Sequence, residues 1–241
     1  MEKLSEVKII ITCEHAGKEV PGKYRELFAG HDEVINSHRG WDPGALELAK
    51  HISAALGVTF FAFPYTRLLI EPNRSIGHPK LFSEFSRKLP GDEKDELIRS
   101  FYLPYRNKVQ TEISTLIKKN GPVLHLSIHS FTPVLSGVTR DVDIGILYDP
   151  GRKTEKFVAG ELKRSLKRKS DGFKIRMNQP YKGKSDGFTT VLRKQFSEEN
   201  YLGIELEVNQ ALLLNKAVEI SGLLTASIVE SIPFTVFKFN F

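Results

Sequence analysis

Val123-Leu-His-Leu-Ser-Ile-His-Ser-Phe-Thr-Pro133 is the stretch that decides the fold class of this 241-residue chain. Its alternation places Leu124, Leu126 and Ile128 on one face and His125, Ser127 and His129 on the other, the period-two pattern of a β-strand. A strand this apolar reads as part of a core. Its polar face carries imidazoles toward the C-terminal end, where α/β sheets place their ligand sites. An imidazole there holds a metal, moves a proton or satisfies a buried polar spot, and the rest of the chain has to distinguish these.

Upstream, Val7–Thr12 is a compact apolar run that predicts a buried strand ending at Cys13-Glu14-His15-Ala16-Gly17. Asp42-Pro43 predicts a helix start, since Asp is a good N-cap and Pro fits the first helical position. Ala45, Leu48, Ala49, Ile52 and Leu56 form the apolar stripe of that helix, and Gly57 ends it. Val58–Phe63 and Arg67–Ile70 read as strands, and the polar, Pro-containing sequence from Glu71 to Pro90 as a long loop of the kind that is usually functional or mobile. Helices are expected over Asp92–Phe101 and Tyr105–Lys119.

Downstream, Val142–Tyr148 and Leu202–Val208 read as strands and Ala211–Ser231 as a helix. A further helix uses Phe157, Val158, Leu162 and Leu166 as its apolar face. Pro233–Phe241 alternates, with Thr235, Phe237, Phe239 and Phe241 on one side. Strands interleaved with helices predict a three-layer α/β/α sandwich. No break in composition divides the chain, so one domain over residues 1–241 is expected.

A hydrophobic fraction of 40% with 27% charged residues is ordinary for a globular protein and sufficient for a sizeable core. The single cysteine, Cys13, excludes an internal disulfide and suits a reducing compartment. Met-Glu-Lys-Leu-Ser-Glu-Val at the N-terminus lacks a signal-peptide run, and no window approaches the ~20 apolar residues that span a bilayer. A cytoplasmic protein without a membrane partner is expected. The net charge of +6 owes much to Glu161-Leu-Lys-Arg-Ser-Leu-Lys-Arg-Lys169, which reads as a solvated basic helix face. No nucleic-acid motif accompanies it, so nucleic acid is not an expected partner; a basic balance also suits a pocket for small anions.

Polar residues that carry chemistry fall at the ends of predicted strands: His15, His129, Glu205 and Glu207. Glu205 and Glu207 share one face of Gly203-Ile-Glu-Leu-Glu-Val208, either as an exposed edge or as a pocket pair. His15, His129 and a carboxylate would make a three-ligand site with an open fourth position, as in catalytic zinc centres. A further Glu beside the bound water would be the general base. Asn73-Arg74 can grip a carboxylate through a bidentate guanidinium and an amide. Cys13 and the adjacent His15 do not make a thiolate dyad by themselves. His-Glu-x-x-His, a Gly-x-Ser-x-Gly elbow and dinucleotide or phosphate-binding glycine loops are absent from the sequence.

The ordered set Glu14-His-Ala-Gly17, Gly40-Trp-Asp-Pro-Gly-Ala45, Arg67 through Asn73-Arg74, Pro104-Tyr105, Ile128-His-Ser-Phe131, Asn178 with Tyr181-Lys-Gly183, and Glu207-Val-Asn-Gln210 resembles the N-formylglutamate amidohydrolase family. The resemblance runs from about residue 9 to residue 214. That family is similar in turn to zinc carboxypeptidases and aspartoacylases. The resemblance implies a zinc-carboxypeptidase-like mixed sheet with helices on both faces, one Zn²⁺, and hydrolysis of an amide beside a free carboxylate, as in a small anionic N-acyl amino acid.

Carried onto this chain, the resemblance makes His15, Asp42 and His129 the zinc ligands, with water in the fourth position. The carboxypeptidase His-x-x-Glu is missing here, so the carboxylate falls to Asp42, with Glu14 as the second candidate and the helix cap as a competing role for Asp42. Glu207 rather than Glu205 becomes the general base. Arg67 or the zinc stabilises the oxyanion, Asn73 and Arg74 hold the substrate carboxylate, and Arg140 and Tyr181 line the pocket wall. The family's Gly-rich stretch reads Lys184-Ser-Asp-Gly-Phe-Thr189 here, a departure that bears on which acyl amino acid is preferred.

Overall fold

A computed structural model describes residues 7–170 and 172–232. In chain order its elements are β1 (Lys8–Cys13), α1 (Asp32–Asn36), α2 (Ala45–Leu56), β2 (Thr59–Ala62), α3 (Gly91–Leu97), α4 (Leu103–Asn120), β3 (Val123–Phe131), β4 (Val134–Leu135), β5 (Val138–Thr139), β6 (Ile144–Leu147), α5 (Lys153–Lys169), β7 (Ile175–Met177), α6 (Phe188–Gln195), β8 (Tyr201–Asn209) and α7 (Gln210–Ser231). Six strands form one sheet in the order β2-β1-β3-β8-β6-β7. β3 pairs in parallel with both β1 and β8, whereas β6 runs antiparallel to β8. The sheet is therefore mixed, and β3 lies inside it with all nine residues buried.

The two faces of β3 meet different partners. Leu124, Leu126 and Ile128 join Leu48 and Ile52 of α2, Leu162 and Leu166 of α5, and Ile220, Leu224 and Ile228 of α7 in the larger core. On the opposite side, Val109 and Ile113 of α4 and Phe188 and Leu192 of α6 pack with Ile10 and Tyr201. Helices thus cover both faces, and the α/β sandwich read from the alternation is the fold. The α4/α6 side also receives the histidines. His125 is held between the Thr12 hydroxyl and the Tyr201 phenol, 2.7 Å from each, and burial pushes its pKa down to about 4. It is a neutral core imidazole rather than a site residue.

Several sequence expectations need correction. Arg67–Ile70 forms a turn, not a strand, because its Leu68, Leu69 and Ile70 side chains enter a separate apolar cluster with Phe28, Phe63 and Tyr102 beneath the loop. The two helices expected around residues 92–119 are one continuous element. α3 runs through a π-helical turn, Ile98–Tyr102, into α4, which has Pro at its start. A proline ring inside a helix clashes with the carbonyl four residues back, and the wider turn makes room for Pro104. Phe157 is exposed rather than part of the α5 inner face, where Val158, Ala159, Leu162 and Leu166 are buried.

α7 is long and apolar enough to cross a membrane by length and composition alone, contrary to the sequence expectation. Its buried Leu213, Ile220, Leu224 and Ile228 pack into the larger core, while Leu214, Val218 and Val229 are exposed. The alternating segment Pro233–Phe241 lies outside the described residues.

Candidate active site

The C-terminal ends of β1, β3 and β8 converge with two loops on a cavity of about 200 Å³. β1 delivers Glu14 and His15 immediately beyond Cys13, β3 delivers His129, and the parallel register sets His129 directly beside Glu207 of β8. Asp42 comes from the turn before α2. That turn is not a side-chain cap. Gly44, with φ of 82°, occupies the N-cap position of α2, which begins at Ala45. The capping role expected for Asp42 is therefore not used, and its carboxylate is free to point into the cavity.

There it meets both imidazoles. Asp42 Oδ2 lies 3.2 Å from His15 Nδ1 and 2.9 Å from His129 Nδ1, and the two ring nitrogens are 3.1 Å apart. The three groups are buried and their ligand atoms converge on one point. Ligands about 2.1 Å from a tetrahedral ion stand roughly 3.4 Å from each other, so this triangle is close to the size that a Zn²⁺-like cation requires. Two imidazoles and one carboxylate, with the remaining side open to the cavity, are the donor set of a catalytic rather than a structural site.

Each imidazole is braced from behind by a carboxylate. His15 Nε2 is 2.5 Å from Glu71 Oε1, and His129 Nε2 is 3.3 Å from Glu14 Oε2. Glu14 also accepts hydrogen bonds from the Ser127 hydroxyl at 2.6 Å and the Tyr105 phenol at 3.0 Å. It is thus committed to the Nε2 side of His129, away from the triangle, and of the two candidate carboxylates Asp42 is the one facing the ring nitrogens of both histidines.

The electrostatics divide the acids into two kinds. Burial works to raise Asp42 and Glu14, but the neighbouring imidazoles hold both well below the usual carboxylate range. Burial likewise opposes the charge on His129, yet Asp42 and Glu14 keep its pKa well above the ordinary value. Glu207 is the exception. Desolvation, opposed by His129 and reinforced by Asp42 and Glu205, pushes it up to about 7. Carboxylates whose environments separate their pKa values are the usual mark of distinct chemical roles.

Arg67, Asn73, Arg74, Tyr181, Lys182, Asp186 and Glu205 complete much of the wall. Arg67 pairs with Glu71 at 2.5 Å and reaches Asp42 Oδ1 at 3.4 Å. Asn73 Oδ1 accepts the Phe188 amide at 2.7 Å, which ties its loop to the start of α6. The Arg74 guanidinium donates to its neighbours' carbonyls, Asn73 O at 2.9 Å and Asp186 O at 2.6 Å. The backbone of this loop is anchored in turn: Tyr102, from the π turn, and buried Arg106 both donate to Arg74 O, at 2.7 and 3.1 Å.

Glu205 and Glu207 both face the cavity, so the pair belongs to a pocket and not to an exposed edge. The Thr189 hydroxyl donates to Glu205 at 2.5 Å. Space beside Glu207 depends on Gly145 of β6, its register partner; a Cβ there would fall 2.1 Å from Gln179 O and 3.2 Å from Glu207 Cβ. Asn178, at φ of 53°, accepts the amides of Tyr148 and Gly183 and so shapes the loop that carries Tyr181 and Lys182.

One sequence assignment sits differently from expectation. Tyr181 lines the cavity, but Arg140 lies behind it, donating to the Tyr181 hydroxyl at 3.0 Å and covering the ring face at 5.1 Å. Cys13 is fully buried, and desolvation raises its thiol well above the ordinary value, which removes it as a nucleophile. Glu71, Ser127, Lys182 and Asp186 had no assigned role in the sequence. The spacing of Ser127 within the β3 polar face and the place of Lys182 in Tyr181-Lys-Gly183 are the sequence signals that point toward two of them.

Residues 7–214 match the N-formylglutamate amidohydrolase family. The chain belongs to this family. It is accordingly a hydrolase acting on an amide bond. No protein of curated function matches it. Among solved structures it is similar to a gene product of Agrobacterium tumefaciens, with 27% identity, a TM-score of 0.81, and coverage of 94% of this chain and 91% of that one. It also shares its fold with N-formylglutamate amidohydrolase from Ralstonia eutropha JMP134, at 18% identity, a TM-score of 0.70, and coverage of 94% and 93% of the two chains.

Proposed function

We propose that this family member hydrolyses the amide of a small N-acyl amino acid, N-formylglutamate among the candidates, at a zinc site formed by His15, Asp42 and His129. One observation carries the reading: two imidazole nitrogens and a carboxylate oxygen lie within 3.2 Å of one another beside a carboxyl raised to about 7. Nitrogen and oxygen donors in this number favour zinc over calcium or magnesium. Bound there, the cation would polarise the scissile carbonyl and make the attacking water more acidic.

The chain's own residues supply the remaining work. Glu207 takes the proton from water as the new C–O bond forms. It then delivers that proton to the amide nitrogen as the C–N bond breaks, releasing the acid and the free amino acid. Desolvation raises this carboxyl above the ordinary carboxylate range, which brings it closer to neutrality and suits it to both taking and returning the proton. Arg67 places positive charge where the carbonyl oxygen becomes anionic. Asn73, through its side-chain NH₂, and Arg74 hold the substrate carboxylate, while Tyr181, backed by Arg140, bounds the opposite wall. A cavity of about 200 Å³ rich in charged side chains suits a small polar substrate better than a peptide or cell-wall polymer.

The purified protein is expected to release free amino acid from N-formylglutamate or a related N-acyl amino acid. Turnover should disappear on chelation and return with Zn²⁺. Turnover that survives complete chelation, or none on any member of an N-acyl amino acid panel after zinc loading, would overturn this reading.

A further inference from the structure

Glu71 stands just beyond the turn that replaces an expected strand, buried, with its carboxylate facing three different groups. Oε1 is 2.5 Å from His15 Nε2 and accepts the Asn73 amide at 3.0 Å. Oε2 accepts from Arg67 Nε at 2.7 Å. One side chain thus touches an imidazole of the His15–Asp42–His129 triangle, the guanidinium next to Asp42, and the backbone of the loop that presents Asn73 and Arg74.

We infer that Glu71 is a positioning residue that joins the cation site to the substrate-binding side of the pocket. The inference rests on the zinc-site reading above. An ionised carboxylate only accepts hydrogen bonds, so Glu71 favours the His15 tautomer with its hydrogen on Nε2, which leaves Nδ1, on the side of Asp42 and His129, available to a cation. That tautomer is the one a cation at the triangle needs, and the carboxylate behind it makes the imidazole a stronger donor. The same oxygens keep Arg67 turned toward Asp42 and hold the Asn73 amide in place. Loss of Glu71 therefore reaches both sides of the pocket without removing any group that touches the substrate or the cation.

Glu71→Gln tests this well because its shape is unchanged. A glutamine has one carbonyl oxygen and one NH₂, so it cannot accept from His15, Asn73 and Arg67 together; its NH₂ must face at least one donor. We expect the dissociation constant for Zn²⁺, measured by chelator competition on the purified full chain, to rise 10–100-fold. The visible absorption of the Co²⁺-substituted protein should shift, and KM for the best N-acyl amino acid should rise along with a fall in kcat. Glu71→Asp, which keeps the charge but is one methylene shorter, should lose less on every readout, and it serves as the test if the Gln variant fails to fold.

A merely structural role predicts something else: a lower melting temperature for the metal-free variant, with wild-type zinc affinity and an unchanged cobalt spectrum. That result would overturn the inference. If the wild-type protein itself binds no zinc, the zinc-site reading fails instead, so the two failures are distinguishable.

Discussion

Glu207→Gln is expected to leave the cation bound and to lower kcat by about 10²–10⁴-fold, the usual range for removing a general acid–base group. The side chain stands beside His129 across the β3–β8 pairing but is not one of the three converging donors. Its amide analogue has nearly the same volume and fits the space left by Gly145. The pH profile provides an independent readout. A base works ionised, so kcat/KM of the wild type rises with pH through the Glu207 transition. Without a cation, desolvation places that transition at about 7. A nearby divalent charge favours the carboxylate, so the acid limb of the loaded enzyme is expected below pH 7. Residual activity of the variant should lack this limb. Near-wild-type turnover in Glu207→Gln would remove Glu207 from the mechanism and return attention to Glu205.

Asp42→Ala is expected to abolish both zinc binding and turnover. Truncating the carboxylates that merely support metal ligands already costs about 10–100-fold in affinity, and loss of a ligand costs more. α2 starts from Gly44 and receives no side-chain cap from Asp42, so a stability change in the metal-free variant reports the buried His129 and Arg67 charges left without their partner, not the helix start. A capping role would instead appear as a stability loss of ~1 kcal/mol with zinc affinity retained. Equilibrium denaturation of the metal-free variant, paired with zinc titration, separates these outcomes. Wild-type zinc affinity in Asp42→Ala would transfer the carboxylate role to another acid.

The contrast between β3 and Arg67–Ile70 shows where sequence patterns suffice and where they fail. Strong alternation in β3 and β8 made strand identity, burial side and the facing of His129 and Glu207 legible, because a period of two leaves one arrangement that buries the apolar set. Register was not legible: that His129 pairs with Glu207 depends on how two distant strands align. Arg67–Ile70 resembled a strand because a short apolar run buried in a turn beneath a loop has the same local pattern as one in a sheet. Asp42-Pro43 carried a cap signature that the αL conformation of Gly44 displaced. Glu71 was not distinguishable, since a carboxylate in a polar loop gives no periodic signal and its three partners are defined only in three dimensions. Continuity of α3 into α4 was hidden by Pro104, which ordinarily signals a helix start.

The proposed chemistry depends most on a cation sitting among His15, Asp42 and His129. Anomalous diffraction at the zinc edge, from crystals of the full chain loaded with one equivalent of Zn²⁺, tests that directly. The predicted result is a single strong peak ~2.0–2.2 Å from His15 Nδ1, His129 Nδ1 and an Asp42 carboxylate oxygen. A peak bound elsewhere, or no peak while the two imidazoles remain hydrogen-bonded to Asp42, would contradict it.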